Sequence, residues 1–306
     1  MGTVVDLVVA LRREVLRRYP EYDTDAPGAL DELATQADQA FCDLEDERVL
    51  QDRAVILLWR TNTAFQDDAQ RARIEVALDD DEAVAWVATQ MRELAPRFDA
   101  SLELMLDAAH AMLLPHLAEA GLRPRMTLLH GTPRRALDGL RAGGLDPSAL
   151  DDLQIESRAS EAQIEQAAAL LRDFFRRHPQ LGYLPPLVPL TPGLQNRIDE
   201  LTRETLRKTL EAGTAFVVLR GDDLLGQATL RTRDDALLGR VGGIAIGFTE
   251  EIQGRGIGKL VYEKLLERMI ELDVAVMRGR TASPRVMHLA ERMGRSVRGW
   301  QLERAR

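Results

Sequence analysis

The sequence predicts an α/β protein of two domains, the second of which is built on a mixed β-sheet with helices on both faces. Three observations support this fold class. The chain has 306 residues, which exceeds one average domain. A turn-forming segment, LDPSALDD at residues 145–152, is a plausible linker near the middle. After it, the predicted order is strand, two helices, three strands, helix, strand, helix and strand, which such a sheet accommodates.

Composition and charge exclude several classes of protein. The net charge of −9 argues against nucleic acid as the main partner, because phosphate neutralisation needs clustered Lys and Arg, whereas an acidic surface favours cationic ligands such as amines. The single cysteine, Cys42, excludes an intramolecular disulfide and a cysteine-based metal cluster. The N-terminus lacks a signal peptide, and no apolar run is long enough to span a bilayer. We therefore expect a cytoplasmic protein with no membrane partner and no metal site.

Apolar periodicity makes the first half helix-rich. Helical spacing covers residues 3–18, 28–50, 81–94, 110–121 and 133–142. Alternation predicts short strands over residues 73–78, 101–106 and 126–129, and residues 54–59 fit either a strand or a buried helical turn. We therefore predict a helix-rich α/β domain over residues 1–150 and a second domain over residues 151–306.

The elements of the second half are bounded more sharply. Ser160 is placed to cap a helix that runs to about residue 177, and another helix covers residues 194–212. Between them HPQLGYLPPLVPLTP is too rich in proline for either element and must be an ordered surface loop. A hairpin joins residues 214–220 to 224–232. The remaining strands are predicted at residues 153–157, 241–248, 274–279 and 296–302, and the remaining helices at 256–272 and 283–293.

The segment with the clearest chemistry is the glycine-rich loop between residues 248 and 259. Gly254, Gly256 and Gly258 alternate after a strand, and the last of them opens a helix. Glycines let the backbone turn its N–H groups inward and approach an anion closely, and a helix N-terminus adds unpaired donors and a positive dipole end. This pattern predicts a cradle for a diphosphate.

Two other phosphate-binding motifs do not fit this loop. A nucleotide P-loop needs Ser or Thr after Gly-Lys, and Lys259 is followed by Leu260. A dinucleotide fingerprint needs a different glycine spacing early in a β-α-β unit. The plain alternative is a glycine-rich turn without function. The entropic cost of ordering three glycines argues against it, because nothing would use their conformational freedom.

Gln253-Gly254-Arg255-Gly256-Ile257-Gly258 matches the pyrophosphate motif of the GNAT family of N-acetyltransferases, and the predicted element order after residue 150 resembles that family as well. The resemblance implies a mostly antiparallel central sheet and acetyl-CoA as cofactor. It also implies direct transfer of the acyl group to an amine, with the backbone of Ile246, Gly247 and Phe248 holding the pantetheine arm where two strands splay. The implied cofactor-binding residues are Ile246, Gly247, Phe248, Gln253, Gly254, Arg255, Gly256, Ile257, Gly258 and Lys259.

The general acid is the point at which the chain departs from the family. By the resemblance, a tyrosine in the last helix protonates the leaving thiolate, and Ala290 stands at that position here. Substitutes are Tyr183 in the proline-rich loop, Tyr262, expected to be half-buried, and His288, expected to be exposed. Tyr183 is our candidate because its loop would border the acceptor site, although a structural role is commoner for each of the three.

The general base is equally open. No acid lies in the strand over residues 241–248, where the family often places one. Glu250 follows that strand and is our candidate for a base that acts through water, and Glu251 is its neighbour. The alternative is that both are solvated surface charges. Asp234 and Asp235 are expected to form the turn before the strand.

The first half resembles the second in outline. Residues 110–121, 126–129 and 133–145 follow helix, strand, helix and a small-residue stop, as residues 258–271, 274–277 and 283–295 do. Residues 104–109, which precede this segment, contain no glycine. One hypothesis is a degenerate second GNAT unit without a phosphate cradle, and the other is an unrelated helical domain. We expect residues 1–150 to bind no cofactor and to cover an apolar face of the second half.

Three functions remain open at this point. The first is an enzyme that transfers acetyl from acetyl-CoA to an amine of a small molecule, which the bulky proline-rich loop favours because it would close the acceptor groove. The second is an enzyme that acts on a protein or peptide N-terminus or lysine. The third is a non-catalytic CoA-binding sensor, which the alanine at position 290 keeps open. Acetyl-CoA turnover with a panel of amines separates the third from the others.

Overall fold

The computed structural model describes residues 2–62, 68–98, 102–177 and 191–304. The helices in these ranges are α1 (Gly2–Leu16), α2 (Ala29–Phe41), α3 (Asp81–Leu94), α4 (Leu114–Glu119), α5 (Pro133–Ala142), α6 (Glu161–Arg177), α7 (Pro192–Glu211), α8 (Ile257–Glu271) and α9 (Pro284–Arg292). The strands are β1 (Leu44–Leu50), β2 (Ala54–Thr61), β3 (Ala69–Val76), β4 (Glu103–Asp107), β5 (Leu122–Gly131), β6 (Gln154–Glu156), β7 (Ala215–Arg220), β8 (Asp223–Asp235), β9 (Gly239–Phe248), β10 (Val276–Thr281) and β11 (Ser296–Arg304).

The chain forms two compact units. Residues 1–128, 235–238 and 297–306 make up the first, and residues 129–234 and 239–296 make up the second. The final strand of the chain therefore belongs to the first unit, and the end of β5 belongs to the second. The division into domains 1–150 and 151–306 stays a prediction.

The first unit is a mixed sheet with helices on both faces. Its strands are ordered β1-β2-β3-β4-β11-β5, and of the pairs whose register is resolved only β3 and β4 run parallel. Alternate residues of β2 face opposite sides, as the period of a strand requires. Ile56 packs in a cluster with Met91 of α3, whereas Leu57 packs with Leu11 of α1. Burial of both faces of β2 explains its continuous apolar run.

The second unit has the same layered design. Its strands are ordered β5-β10-β9-β8-β7-β6, where β6, β7 and β8 are antiparallel neighbours and β9 and β10 are parallel. One face packs against α8, through a cluster that joins Val261 to Met277. The opposite face packs against α6 and α7, through a cluster that joins Leu206 to Val217. The predicted mixed, mostly antiparallel sheet between two helical layers is confirmed.

Helix α5 belongs to the second unit and covers part of α8. Leu137 and Leu140 of α5 lie in the apolar cluster that contains the buried face of α8. Arg141 donates from Nε to Glu263 at 2.8 Å and from Nη2 to Glu267 at 2.6 Å. Residues before position 150 therefore cover an apolar face of α8 from within the same unit, whereas the expectation was that a separate first domain would supply this cover.

Three local expectations differ from the structure. The helix predicted over residues 28–50 ends at Phe41, and Leu44–Leu50 is strand β1, an edge strand whose exposed residues alternate with half-buried ones. The strand predicted over residues 126–129 extends over Leu122–Gly131. The predicted linker contains a short 3₁₀ helix, Pro147–Leu150, and Ala149 is buried in the cluster with α8. In each case, pairing or packing with residues distant in sequence sets the outcome.

The element order repeats along the chain, but the elements that correspond between the two halves differ from those expected. Two helices, three strands, helix, strand, helix and strand run from α1 to β5, and the same order runs from α6 to β11. The counterpart of α8 is therefore α3, whereas the sequence comparison paired α8 with residues 110–121. The error arose because residues 110–142 also follow a helix-strand-helix outline.

The packing of α5 on α8 gives a stability prediction. Leu140 is 2% exposed in the cluster that α5 shares with α8. We expect Leu140→Ala to lower the free energy of unfolding by about 2–5 kcal/mol, because truncation leaves a cavity in the core. Leu30→Ala is the matched control, since Leu30 is 48% exposed and its truncation should change stability by only about 0.5 kcal/mol. Denaturant titration measures both, and equal effects would contradict the assigned packing.

Candidate functional site

The chain turns from β9 into α8 through two left-handed glycines. After Phe248, a short 3₁₀ helix, Glu250–Ile252, leads to Gly254 with φ of 84° and Gly256 with φ of 91°. Only glycine adopts such angles without a steric penalty. Gly256 is the N-cap of α8, and no side chain caps the helix there. The sequence-predicted loop therefore has the backbone conformation that its glycines suggested.

The start of α8 has room for a ligand. A Cβ built on Gly254 would meet no atom within 4 Å. The first amide groups of a helix have no carbonyl partner within the helix and carry its positive dipole end. Ile257 is buried and fixes the first turn of α8 in the core, while Gly254 beside it is exposed. An anion can therefore reach the backbone N–H groups of this turn.

Beside this turn, β9 separates from β10. The two strands pair in parallel from Val276↔Val241 to Arg278↔Gly243, and the register ends there. Ile246, Gly247 and Phe248 lie beyond that register, at the end of β9. In that register the backbone groups that this end of β9 directs to the β10 side have no β10 partner, and the Phe248 carbonyl among them accepts a hydrogen bond from Nε2 of Gln253.

The ring of Phe248 joins β8, β9 and the start of α8. A Cβ on Gly226 of β8 would lie 2.3 Å from Cδ1 of Phe248, and a Cβ on Gly258 would lie 3.5 Å from its Cε2. Because Gly226 has no side chain, the Phe248 ring packs directly on the β8 backbone there, and we call this position the seat of Phe248. Sequence reasoning missed Gly226, although an isolated glycine inside a predicted strand is a signal of close approach.

The basic residues of the loop contact the segment that follows α5. Arg255 donates from Nη2 to Oδ1 of Asp152 at 2.7 Å, and Lys259 donates from Nζ to the Gly144 carbonyl at 3.1 Å. The hydrogen bond from Arg255 holds the pKa of the Asp152 carboxyl below its usual value, and the nearby Arg220 adds to this effect. The two side chains thus attach the loop to residues 143–152.

Gln253 forms two hydrogen bonds that join the end of β9 to the turn before α8. Its Nε2 donates to the Phe248 carbonyl at 3.1 Å, and its backbone N–H donates to the Glu250 carbonyl at 3.1 Å. These bonds hold the end of β9 against the turn that opens α8. In this structure the side chain of Gln253 positions the backbone of the cradle.

The candidate catalytic residues are not brought together by the described part of the chain. Tyr183 lies outside the described residues. Glu250 is exposed and accepts a hydrogen bond from Nη1 of Arg177 at 2.7 Å. Tyr262 is half-buried and His288 exposed, as predicted. Ala290, where the family has its tyrosine, is fully buried.

Arg295 is a buried cation that the sequence analysis did not single out. It is 8% exposed, and its Nη2 donates to the Leu129 carbonyl at 3.0 Å. A Cβ on Gly279 of β10 would lie 2.8 Å from that nitrogen, so the guanidinium lies over the strand. Burial lowers the pKa of Arg295, and interaction with Tyr262 opposes that shift.

In the first unit, the position that corresponds to the glycine-rich loop is acidic. Residues 79–82 between β3 and α3 are Asp or Glu throughout. Oδ1 of Asp80 accepts a hydrogen bond from the Ala83 amide at 2.9 Å and caps α3. This bond holds the pKa of Asp80 below its usual value, and Arg53 contributes further. A carboxylate occupies the helix N-terminus here, which opposes the binding of a diphosphate.

The described ranges of the chain contain neither a candidate metal site nor a membrane-spanning helix. Across those ranges, no group of three or more His, Cys, Asp or Glu side chains is placed to hold a metal ion. No helix there is both long and apolar enough to cross a membrane.

Residues 172–294 match the model of the acetyltransferase (GNAT) family. The match contains α8, the glycine-rich loop and both strands that separate beside it. This part of the chain, less than half of its length, is therefore similar to the GNAT family.

Solved structures with similar folds are distant in sequence. A GCN5-related N-acetyltransferase from Sphaerobacter thermophilus is 14% identical, with coverage of 82% of this chain and 75% of that chain and a TM-score of 0.49. A GCN5-related N-acetyltransferase from Kribbella flavida is 17% identical, with coverage of 88% and 92% and a TM-score of 0.45. A tandem GNAT protein from the clavulanic acid biosynthesis pathway is 13% identical, with coverage of 97% and 94% and a TM-score of 0.44. No curated protein matches the chain.

The seat of Phe248 gives a second stability prediction. We expect Gly226→Ala to lower the free energy of unfolding by about 1–3 kcal/mol, because the new methyl group forces the Phe248 ring to move. Gly243→Ala is the matched control, since a Cβ on this β9 glycine meets no atom within 4 Å and the change should stay within about 0.5 kcal/mol. Chemical denaturation measures both variants. A Gly226 variant as stable as the Gly243 variant would show that Phe248 is not fixed there.

Proposed function

We propose that this protein is an acyl-CoA-dependent N-acyltransferase that transfers acetyl from acetyl-CoA to an amine of a small molecule. The observation that carries the proposal is the junction of β9 and α8. Two left-handed glycines expose the N-terminus of α8 directly beside the point where β9 separates from β10. This junction lies inside the GNAT match.

The residues present fit such a cofactor. An open, glycine-lined helix N-terminus suits a pyrophosphate, since backbone N–H groups are its preferred donors there. The separated end of β9 suits the extended pantetheine arm, because that segment has amide and carbonyl groups free of a β10 partner in the resolved register. When bound, acetyl-CoA supplies a thioester whose carbonyl carbon is the electrophile that the amine attacks, with the CoA thiolate as leaving group.

The proposed roles of the chain follow from this fit. The backbone of residues 253–258 binds the pyrophosphate, and Ile246, Gly247 and Phe248 hold the pantetheine arm. Gln253 positions the turn, while Arg255 and Lys259 attach it to residues 143–152. We keep Tyr183 as the proposed acid and Glu250 as the proposed base, and Arg177 must release Glu250 before it accepts a proton through water.

A second candidate function is a CoA-binding sensor without turnover. The buried Ala290 favours it, because the family's position for an acid on α9 has no proton to donate. The leaving group argues against the sensor, because a thiolate whose conjugate thiol has a pKa of about 8.5 departs readily without a general acid. Acetyl-CoA turnover with a panel of amines decides between the two.

The acidic composition supports an amine acceptor, and the bulk of the proline-rich loop supports a small one. We further propose a cytoplasmic location, because Cys42 is exposed and free, as is typical of reducing compartments.

The cradle gives a binding prediction. We expect Gly256→Asp to weaken CoA binding by about tenfold or more, because a carboxylate beside the pyrophosphate is a like-charge contact. Gly213→Asp is the matched control. Gly213 is also left-handed, with φ of 64°, but it lies beside Arg268 in the last turn of α8, far from the junction. Calorimetry should give one CoA site per chain and an unchanged affinity in the control.

Two outcomes would contradict this assignment. One is an equal CoA affinity for Gly256→Asp and the unmodified chain. The other is a second equivalent CoA site, because the acidic start of α3 leaves no cradle in the first unit.

The choice of acid gives a kinetic prediction. We expect Tyr183→Phe to lower kcat with acetyl-CoA by roughly 10²-fold, the lower end of a general-acid contribution. Tyr262→Phe should have a smaller effect, because the ring of Tyr262 packs against the core cluster of the second unit. Timed assays of free CoA thiol release measure kcat for both variants. If both rates stay within about twofold of the unmodified chain, the thiolate leaves unaided or water supplies the proton.

A further inference from the structure

An open groove with an apolar floor lies between α1 and the end of β3 in the first unit. Its volume of about 660 Å³ is within the range of small-molecule sites. Leu7 and Leu11 of α1 are buried beneath it, and Ala77 and Leu78, which follow β3, are half-buried on its other side. Ala10 of α1 also lines the groove and is exposed. The floor therefore offers apolar surface to a ligand, within one structural unit.

The rim of this groove carries carboxylates. Asp6 and Glu14 of α1 and Asp52 of the turn between β1 and β2 line the groove and are exposed. In the described part of the chain, no group forms an ion pair or a hydrogen bond with these three carboxylates. The negative charge of the rim is therefore available to a ligand.

The cations near the rim pair with other carboxylates. Arg12 of α1 donates from Nη1 to Asp107 at 3.2 Å, on another side of the helix. Arg53 lines the groove, and its guanidinium pairs with Asp80 at the start of α3. Because these arginines are balanced elsewhere, the groove combines an apolar floor with a net negative rim. Charge complementarity therefore selects a positively charged ligand.

The two carboxylates of α1 are separated along the groove. Asp6 and Glu14 are two helical turns apart, which corresponds to about 12 Å along the helix axis. Ala10 lies midway between them, and its methyl group leaves the space open. On the opposite wall, the Ala77 N–H donates to the Arg53 carbonyl at 2.7 Å. This bond fixes the turn that carries Asp52 to the end of β3, across the groove from α1.

We infer that this groove binds a linear aliphatic dication whose two positive groups are about 12 Å apart. The positive groups lie at Asp6 and Glu14, and Asp52 adds to the negative potential between them. The alkyl chain lies on the leucines of the floor, since burial of apolar surface is favourable. Exposed ion pairs contribute little singly, so binding needs both charges and the chain. The lining residues all fall within residues 6–78, outside the family match, so the inference is independent of the proposed function.

The inference predicts recognition by charge and chain length, without a requirement for an N–H group. The principal probe is therefore octane-1,8-bis(trimethylammonium), whose nitrogens cannot be acylated. Butane-1,4-bis(trimethylammonium) is too short to reach both carboxylates, octyltrimethylammonium has one charge, and octane-1,8-diol has none. We expect the principal probe to bind roughly threefold to fivefold tighter than octyltrimethylammonium, the contribution of one additional exposed ion pair. Calorimetry on the full chain measures the four affinities.

The first variant removes the charges at both ends of the groove. We expect Asp6→Asn combined with Glu14→Gln to weaken binding of the principal probe roughly fivefold to twentyfold, because two exposed ion pairs are lost. Asp43→Asn combined with Glu47→Gln is the matched control. It changes the net charge equally, at exposed positions of the same unit that do not line the groove. Its affinity should stay within about twofold of the unmodified chain, because salt screens distant charges.

The second variant fills the groove and keeps its charges. We expect Ala10→Phe to abolish measurable binding of the principal probe, because the new ring covers the floor between the two carboxylates. Ala85→Phe is the matched control, since Ala85 is an exposed alanine on α3 of the same unit. Thermal unfolding of all variants shows whether each has the fold of the unmodified chain.

Several outcomes would overturn the inference. It is wrong if the unmodified chain does not bind the principal probe, or if octyltrimethylammonium binds equally well. It is also wrong if both the double carboxylate variant and Ala10→Phe, each folded, keep the affinity of the unmodified chain. Tighter binding of the peptide Lys-Ala-Ala-Ala-Lys would assign the groove to a peptide partner instead. A dimer in sedimentation that Ala10→Phe dissociates would assign it to a second copy of the chain.

Discussion

The separation of β9 from β10 after Gly243 is the constraint on which the proposed site depends. Parallel pairing covers only three positions, so the end of β9 keeps backbone groups that no β10 residue satisfies in that register. The chain must then reverse into α8 within a few residues, and the left-handed Gly254 and Gly256 make this turn. A free strand end and a free helix N-terminus are thereby placed side by side.

The first unit shows what happens when the same geometry has different residues. β3 and β4 also pair in parallel over three positions, from Arg71↔Glu103 to Arg73↔Met105. At the start of α3, however, Asp80 caps the helix with its own carboxylate. Asp107 at the end of β4 is likewise bonded within the unit, to Arg12 and Tyr19. Repetition of the element order therefore does not imply repetition of the binding chemistry.

The turn between β9 and α8 was predictable because its information is local. Positive backbone angles select glycine, and a helix N-terminus follows directly in the sequence, so residues 254–258 identify the turn by themselves. The edge strand β1 was not predictable, because LEDERVL is highly charged and becomes a strand only by pairing with β2. The seat of Phe248 on Gly226 and the pairing of Glu250 with Arg177 also join distant residues. Tertiary contacts, which no local pattern encodes, decide these features.

The family match begins at residue 172, but the folding unit that supports the cradle begins at residue 129. Leu137 and Leu140 of α5 lie in the cluster that contains the buried face of α8, and Lys259 reaches the carbonyl groups at the C-terminus of α5. The positive charge of Lys259 at that end interacts favourably with the negative end of the α5 dipole. The N-terminus of α8 is thus fixed by residues that precede the family motif. The position of the turn before α8 therefore depends on α5, which belongs to the same unit but precedes the family match in the sequence.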